Sequence, residues 1–198
     1  MTIDLSSLPY SRQTPPANFV SGDLKVSAFD ISLTATGWAQ WRGGLSFETL
    51  TPPKDCTGLP RLRWIRECVG ELARGASLVV MEGLSFGSNQ ASAQERAGLA
   101  YLVRDLLWGR QQPFVLCPPS TLKKFACGKG NAEKNLVLRE VYRRFGADVD
   151  NDNEADAVAL CYLGRALIGD WQPETLAQRE VLKVLRKSNA EALEMVHA

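Results

Sequence analysis

The stretch LKVSAFDISLTATGWAQWRGGLSFETLTPP, residues 24–53, decides the fold because it holds three β-prone segments with very short connections. The first segment, LKVSAFDIS (24–32), contains an apolar run that ends at Asp30, and the second, TGWAQWRGG (36–44), alternates bulky and small residues. The third, LSFETLTPP (45–53), is closed by prolines, which cannot donate to a sheet ladder. Because connections this short join antiparallel neighbours, the stretch predicts a three-stranded antiparallel meander.

Helical and strand patterns alternate in the next part of the chain. Residues 59–75 repeat apolar side chains at helical spacing, and SLVVMEG (77–83) is typical of a buried strand that ends at Glu82. A second helix is predicted from about residue 91 to 108, followed by a short strand in PFVLCPP (113–119). Helical crossovers connect parallel strands, so the first, fourth and fifth strands should lie side by side. The predicted architecture is an α/β fold with a mixed five-stranded sheet flanked by helices.

The remaining chain is predicted to be helical and to belong to the same domain. Helices are expected in residues 131–146, 154–170 and 173–187, with weakly structured residues after them. A length of 198 residues with 45% apolar and 23% charged residues is typical of one soluble globular domain. The predicted division is as follows: an irregular N-terminal extension over 1–22, the main domain over 23–170, and a C-terminal helical tail packed on that domain over 171–198.

Acidic residues end two of the predicted central strands, Asp30 the first and Glu82 the fourth. Ligands of such sheets bind at the carboxyl ends of the parallel strands, so both side chains should enter one crevice. A third acidic region, DVDNDNEADAVALCYL (148–163), crowds five acids before an apolar helix. One interpretation is an ordinary helix start, with Asn153 as N-cap and Asp156 suited to the first turn. The other is that some of these carboxylates close the crevice around a divalent metal.

Cysteine and histidine usage restricts the chemistry. The only histidine is His197, so a triad with a histidine base is not expected, and hydrolytic chemistry must rely on carboxylates and metal. The cysteines form no CxxC pair, which favours reduced thiols in a cytosolic compartment and argues against a zinc site. No apolar run of membrane-spanning length and no signal-peptide pattern is present, so neither a membrane span nor secretion is expected.

Charge is unevenly distributed although the formal net charge is only +1. Residues 123–144 contain seven basic residues and two acids, whereas residues 148–156 contain five acids and no base. A basic surface beside an acidic pocket suits a polyanion whose phosphate meets a metal. The ordinary alternative is two solvated helix faces. The basic residues are Lys123, Lys124, Lys129, Lys134, Arg139, Arg143 and Arg144.

Four stretches, in this order and spacing across residues 26–165, resemble the RuvC-type Holliday-junction resolvases of the ribonuclease H-like superfamily. They are FDISLTATGW (29–38), VVMEGLSFG (79–87), CPPSTLKKFACGKGNAEKNLV (117–137) and NEADAVAL (153–160). The resemblance implies a ribonuclease H-like sheet and a homodimeric endonuclease of DNA recombination and repair. It also implies two divalent ions per subunit and symmetric nicking of four-way or other branched DNA.

The resemblance assigns roles to the acidic and basic residues. Two Mg²⁺ ions about 4 Å apart, for which Mn²⁺ would substitute, activate a water and stabilise the leaving oxygen of a phosphodiester. Asp30 is expected to bridge both ions, with Glu82 and Asp156 on either side. Lys134 and one of Lys123 or Lys124 are expected to neutralise the developing charge. The ordinary alternatives are a turn aspartate, a strand-end salt bridge and surface lysines.

Asn153 stands where the family has an aspartate or a histidine. Its amide can still offer one carbonyl oxygen to a metal, without charge. Two alternatives are that Asp152 reaches in instead, or that Asn153 only caps the helix. Asp148, Asp150 and Asp152 are assigned to a solvated approach loop.

DNA contacts are expected from a loop, a helix and the basic segment. Phe86 follows the Glu82 strand and could stack on an unpaired base, or it could fold onto the core. Residues 88–104 resemble the family's long helix near the dimer interface and the DNA, with Gln94 and Arg96 as polar contacts; a plain core helix has the same pattern. The lysines expected at the DNA are Lys123, Lys124 and Lys129.

Two other classes of protein compete with the nuclease. An actin-like ATPase shares the Asp-Thr-Gly pattern of residues 29–38, but it needs two such domains and further nucleotide-binding loops. A non-catalytic module that binds branched DNA would keep the fold and lose the chemistry. Metal-dependent nicking separates the nuclease from both. No nucleotide cofactor or membrane partner is expected, and the predicted location is the cytoplasm of a bacterium or of a phage-infected host cell.

Overall fold

The computed structural model describes residues 24–84 and 90–197. Its sheet has the strand order β3-β2-β1-β4-β5. Strands β1 to β3 pair antiparallel, whereas β4 pairs parallel with both β1 and β5. The predicted mixed sheet is therefore confirmed, including the central position of the first and fourth strands. The strands are β1 (Val26–Asp30), β2 (Thr36–Trp41), β3 (Leu45–Leu50), β4 (Leu78–Glu82) and β5 (Phe114–Cys117).

Helices cover both faces of the sheet. They are α1 (Gly58–Leu72), α2 (Gln90–Gly109), α3 (Pro119–Cys127), α4 (Lys134–Phe145), α5 (Asp152–Leu167), α6 (Leu176–Ser188) and α7 (Ala190–His197). Side chains alternate along each central strand, so Val26 and Ala28 of β1 join the core under α5, whereas Phe29 joins the core under α1 and α2. Burial on both faces explains why β1 and β4 are almost continuously apolar.

Helix α3 was not predicted from the sequence, and the prediction for the C-terminus was wrong. Helix α3 has only nine residues; it begins with Pro119, whose missing N–H costs nothing there, and ends at Gly128 with φ 80°. The residues expected to be weakly structured form α7, and Leu193 and Val196 of that helix pack against the core. Partial burial of an apolar face stabilises a helix that is too short to persist alone.

Helix α5 lies unusually close to the sheet because glycines remove side chains from its contacts. A Cβ at Gly164 would lie 2.7 Å from methyl groups of both Val26 and Val80. At the other end of the helix, a Cβ at Gly37 of β2 would overlap the backbone carbonyl of Asn153. Gly37 pairs with Asp30 across the β1–β2 ladder. The glycine therefore brings the start of α5 against the end of β1.

A buried ion pair holds the opposite end of α5. The Nε of Arg165 donates to Oδ2 of Asp170 at 2.7 Å, and both side chains are almost inaccessible to solvent. The guanidinium also stacks 3.4 Å from the ring centroid of Trp41, with Tyr162 on another side. The two charges are paired and the guanidinium is packed on aromatic rings, which offsets the cost of burying them.

Helix α6 belongs to the main core, since Val181, Leu182 and Leu185 are buried with residues of α3 and α5. All five cysteines are free thiols, and three of them are buried. None of the helices in residues 24–84 and 90–197 combines the length and apolar composition needed to cross a lipid bilayer. The expected N-terminal extension and Phe86 lie outside the described residues.

Candidate active site

Two acidic side chains meet at the carboxyl edge of the sheet. Parallel pairing aligns Phe29 of β1 with Met81 of β4, so the next residues, Asp30 and Glu82, are neighbours. Their carboxyl groups are close enough to shift each other's pKa. Because an ionised carboxylate can only accept, a hydrogen bond between the two groups would require one of them to hold a proton.

Asp156 joins this pair from the first turns of α5. A hydrogen-bonded network of uncharged and acidic side chains fixes the start of that helix on β3. The side-chain oxygen of Asn151 accepts from the backbone N–H of Glu154 at 3.0 Å, and its amide donates to the hydroxyl of Thr49 at 3.0 Å. The Thr49 hydroxyl donates to the buried Glu154 carboxylate at 3.1 Å. With Gly37 beneath, the helix start and hence Asp156 have a defined position beside Asp30.

This network corrects one interpretation of the acidic stretch. Asn151 is the N-cap of α5, and Asn153 lies inside the first turn, so Asn153 does not cap the helix. Both asparagines precede the apolar run and both suit an N-cap, so the sequence alone did not separate them. Within the described residues, the Asn153 side chain forms no hydrogen bond, and its backbone carbonyl lies against Gly37.

Burial and mutual repulsion make the three acids hard to ionise together. Burial raises the pKa of Asp30 to about 6. Burial, followed by the charges of Asp30 and Asp156, raises the pKa of Glu82 to about 8. Burial, followed by the charge of Asp30, raises the pKa of Asp156 to about 7. Like charges brought together at a protein edge favour binding of a cation or a proton.

Two lysines face the acids. The charge of Lys123 on α3 acts on both Glu82 and Asp156 and opposes the rise in their pKa. Lys134, at the start of α4, donates to Asp152 at 2.5 Å, and this bond raises the pKa of the lysine. Asp152 is the first residue of α5 and pairs with Lys134. Its assignment to a solvated approach loop was therefore wrong.

The other basic candidates are placed differently. Lys124, the residue after Lys123, forms an ion pair with Glu180 of α6 at 2.8 Å and therefore points away from the acids. Lys129 is exposed in the connection between α3 and α4. Asp148 and Asp150 are exposed residues of the loop before α5, as expected.

A cleft of about 290 Å³ opens beside Asp30 and Glu82. Arg96 of α2 lines this cleft, whereas Gln94 is exposed and is not part of its lining. Arg104, which was not predicted as a site residue, lines the cleft two turns after Arg96. The spacing of Arg96, Ala100 and Arg104 by four residues places them on one helix face, and that pattern could have revealed it.

The donor atoms suit Mg²⁺. Asp30, Glu82 and Asp156 offer only carboxylate oxygens, the ligands that this hard cation prefers. Across the described residues, no three acidic, histidine or cysteine side chains are gathered tightly enough to hold one ion by themselves. An ion at this edge would therefore need further ligands from water or from substrate phosphates.

Solved structures share this architecture. RuvC from Thermus thermophilus is 20% identical, and the similarity covers 76% of this chain and 99% of that chain with a TM-score of 0.60. T. thermophilus RuvC in complex with Holliday junction substrate is 18% identical, with the same coverage and a TM-score of 0.61. No protein-family model matches the sequence, and no curated protein is similar enough to count as a relative. Agreement over nearly the whole Thermus chain shows that this chain, with its mixed five-stranded sheet, has a RuvC-like, ribonuclease H-like fold.

Proposed function

We propose that this chain is a metal-dependent endonuclease that cuts branched DNA, four-way junctions above all. The observation that carries the proposal is the convergence of Asp30, Glu82 and Asp156 at one edge of a RuvC-like fold. A neighbour with this fold was solved with a Holliday junction substrate, which supports branched DNA as the ligand class.

The three carboxylates would hold the metal. Asp30 lies between Glu82 on β4 and Gly37 on β2, against which α5 begins, so Asp30 would be shared by the ions with Glu82 and Asp156 on either side. When bound, Mg²⁺ supplies activation of a water and stabilisation of the leaving oxygen of a phosphodiester. In its absence, the raised pKa of Glu82 favours the protonated carboxyl group near neutral pH. Cation binding should therefore release a proton from this pair.

Lys123 and Lys134 would neutralise phosphate charge. The charge of Lys123 lowers the pKa of Asp156 more than the charge of Lys134 does. Lys134 is held beside the start of α5 by its ion pair with Asp152. A cation that acts on charge developing in the transition state changes the cleavage rate more than it changes binding. Lys134→Ala should accordingly slow cleavage more than it weakens junction binding.

A homodimer is part of the proposal because α2 exposes large apolar side chains. Trp108 is 77% exposed and Tyr101 is 66% exposed, with Leu102 beside them. Exposed apolar residues clustered on one helix are typical of an interface. A twofold dimer would present two active sites to the two strands that a symmetric cut requires.

The decisive experiment compares four-way junction, flap, duplex and RNA–DNA hybrid substrates with and without Mg²⁺. Asp30→Asn and Glu82→Gln should abolish cleavage and preserve junction binding, since binding rests mainly on phosphate contacts. Asp148→Asn, which removes an exposed acid outside the cluster, is the matched control and should cut normally. Cleavage at the wild-type rate by either active-site variant would refute the proposed site.

A second function, junction binding without cleavage, is favoured by Asn153. A neutral amide at this position removes one charge from the metal-binding edge. If wild-type protein binds junctions tightly and cuts none of the four substrates with Mg²⁺ or Mn²⁺, this second function replaces the first.

A further inference from the structure

The α2 wall of the cleft carries two guanidinium groups that face the acidic edge. Arg96, Ala100 and Arg104 line the cleft from one face of α2, and Asp30 and Glu82 line it from the sheet. The small side chain of Ala100 leaves room between the two arginines. The cleft therefore has a negative and a positive wall, an arrangement that suits a phosphodiester strand whose metal-bound phosphate lies on one side.

Neither of these arginines is neutralised by a carboxylate of the described residues. A terminal nitrogen of Arg96 donates to the hydroxyl of Ser92 at 2.9 Å, and the Arg104 guanidinium lies 5.2 Å from the ring centroid of Tyr101. By contrast, two arginines of α1 and the arginine that follows α2 form ion pairs. These pairs are Arg61 with Glu95, Arg63 with Glu67, and Arg110 with Glu71. The cleft arginines thus keep their charge available for an anion.

The size and floor of the cleft limit what can enter. A volume of about 290 Å³ is at the small end of ligand sites, which gives room for about one nucleotide unit of a single strand. Leu84 and Leu116 form an apolar part of the lining, suited to the hydrocarbon face of a sugar. Along α2, Arg104 lies about 12 Å from Arg96, far enough to reach a second phosphate.

We propose that Arg104 binds a backbone phosphate of the strand being cut, a phosphate other than the scissile one, while the intervening sugar lies on the apolar floor. This inference rests on the proposed nuclease function and names a further binding residue for it. Because the cleft has room for about one nucleotide unit, the contact would favour a strand that has separated from its complement. It would thereby contribute to selection of branched over duplex DNA.

The test measures junction binding in EDTA, so that cleavage does not interfere. Arg104→Gln should weaken binding roughly 3- to 10-fold and reduce the slope of log affinity against log salt concentration by about 1. Arg104→Lys keeps the charge and should restore that slope. Arg63→Gln, which removes an exposed charge on α1 outside the cleft, is the matched control and should leave the slope unchanged. Thermal unfolding and light scattering check that the variants keep their fold and their oligomeric state.

Neutral methylphosphonates placed singly along the cut strand locate the contact. At one position outside the scissile phosphate, the analogue should weaken wild-type binding and cause no additional loss with Arg104→Gln. At all other positions the two losses should add. Additive losses at every position, or a change in oligomeric state as the only effect of Arg104→Gln, would overturn the inference. If wild type binds but never cuts, the nuclease proposal fails while this scan still decides whether Arg104 holds a phosphate; if wild type does not bind junctions, both fail.

Discussion

Replacement of Asp156 by asparagine is expected to stabilise the metal-free protein at alkaline pH while it removes metal-dependent cleavage. Burial and the neighbouring charge of Asp30 raise the pKa of Asp156 from 3.8 to about 7. Holding this carboxylate ionised in the folded protein therefore costs free energy that asparagine, similar in shape and uncharged, does not require. A residue needed for chemistry would thus be unfavourable for stability when no metal is bound.

The size of this effect follows from proton linkage. Each pH unit of difference between the folded and unfolded pKa corresponds to about 1.4 kcal/mol, so the upper limit for Asp156 is about 4 kcal/mol. Partial solvent access and relaxation around the charge reduce the expected gain to about 1 to 3 kcal/mol. For a chain of this size, that corresponds to a rise in Tm of roughly 3–10 °C.

The sign of the pH dependence is also defined. In the unfolded chain the carboxyl group loses its proton near pH 4, whereas in the folded protein it keeps the proton until about pH 7. The stability that this proton provides to wild type is fully present below about pH 4 and is lost as pH rises through about 7. The advantage of Asp156→Asn should therefore be small in acid and largest above neutrality.

Thermal unfolding in EDTA at about pH 4.5 and about pH 8 measures this difference. Asp148→Asn serves as the control, because it removes an exposed acid outside the cluster and should shift Tm little at either pH. Addition of Mg²⁺ at the higher pH should raise the Tm of wild type more than that of Asp156→Asn. A variant that is less stable than wild type at pH 8, or equally shifted at both pH values, would refute the reasoning.

Three further changes test the surroundings of the site. Gly37→Ala should lower both Tm and the cleavage rate, because its methyl group would overlap the Asn153 carbonyl and displace the start of α5. The control is Gly98→Ala, where a Cβ meets open space. This control should be neutral or stabilising by up to about 1 kcal/mol. Trp108→Glu should convert a dimer to monomers in analytical ultracentrifugation. Val184→Glu, the same polar change at another exposed apolar position, should leave the dimer intact. A wild-type monomer that cuts both strands together would contradict the dimer. Asn153→Asp should lower the Mg²⁺ concentration needed for half-maximal cleavage by supplying a charged ligand, and an unchanged Mg²⁺ titration would show that this side chain does not contact the metal.

The sheet and its acidic edge were predictable because their signals are local. An apolar run that ends at Asp30 or Glu82 specifies both the strand and the place of its last side chain. The choice between Lys123 and Lys124 was not predictable, because it depends on the rotation of α3 relative to the sheet. Arg104 was missed for a related reason, since its role depends on how α2 packs beside the cleft. Such rotations are set by tertiary packing and have no signature within a single segment.

The burial of α5 has a consequence for exchange of backbone amide hydrogens. Residues 157–167 of this helix are all buried, and the helix is held at one end by Asn151 and at the other by Arg165. No local opening can expose these amides without breaking the packing against β1 and β2. They should therefore exchange with solvent only when the whole domain unfolds, more slowly than the amides of α7 at the periphery. The helix that carries Asp156 would then be part of the most slowly opening unit of the protein, so the position of Asp156 should persist for as long as the domain stays folded.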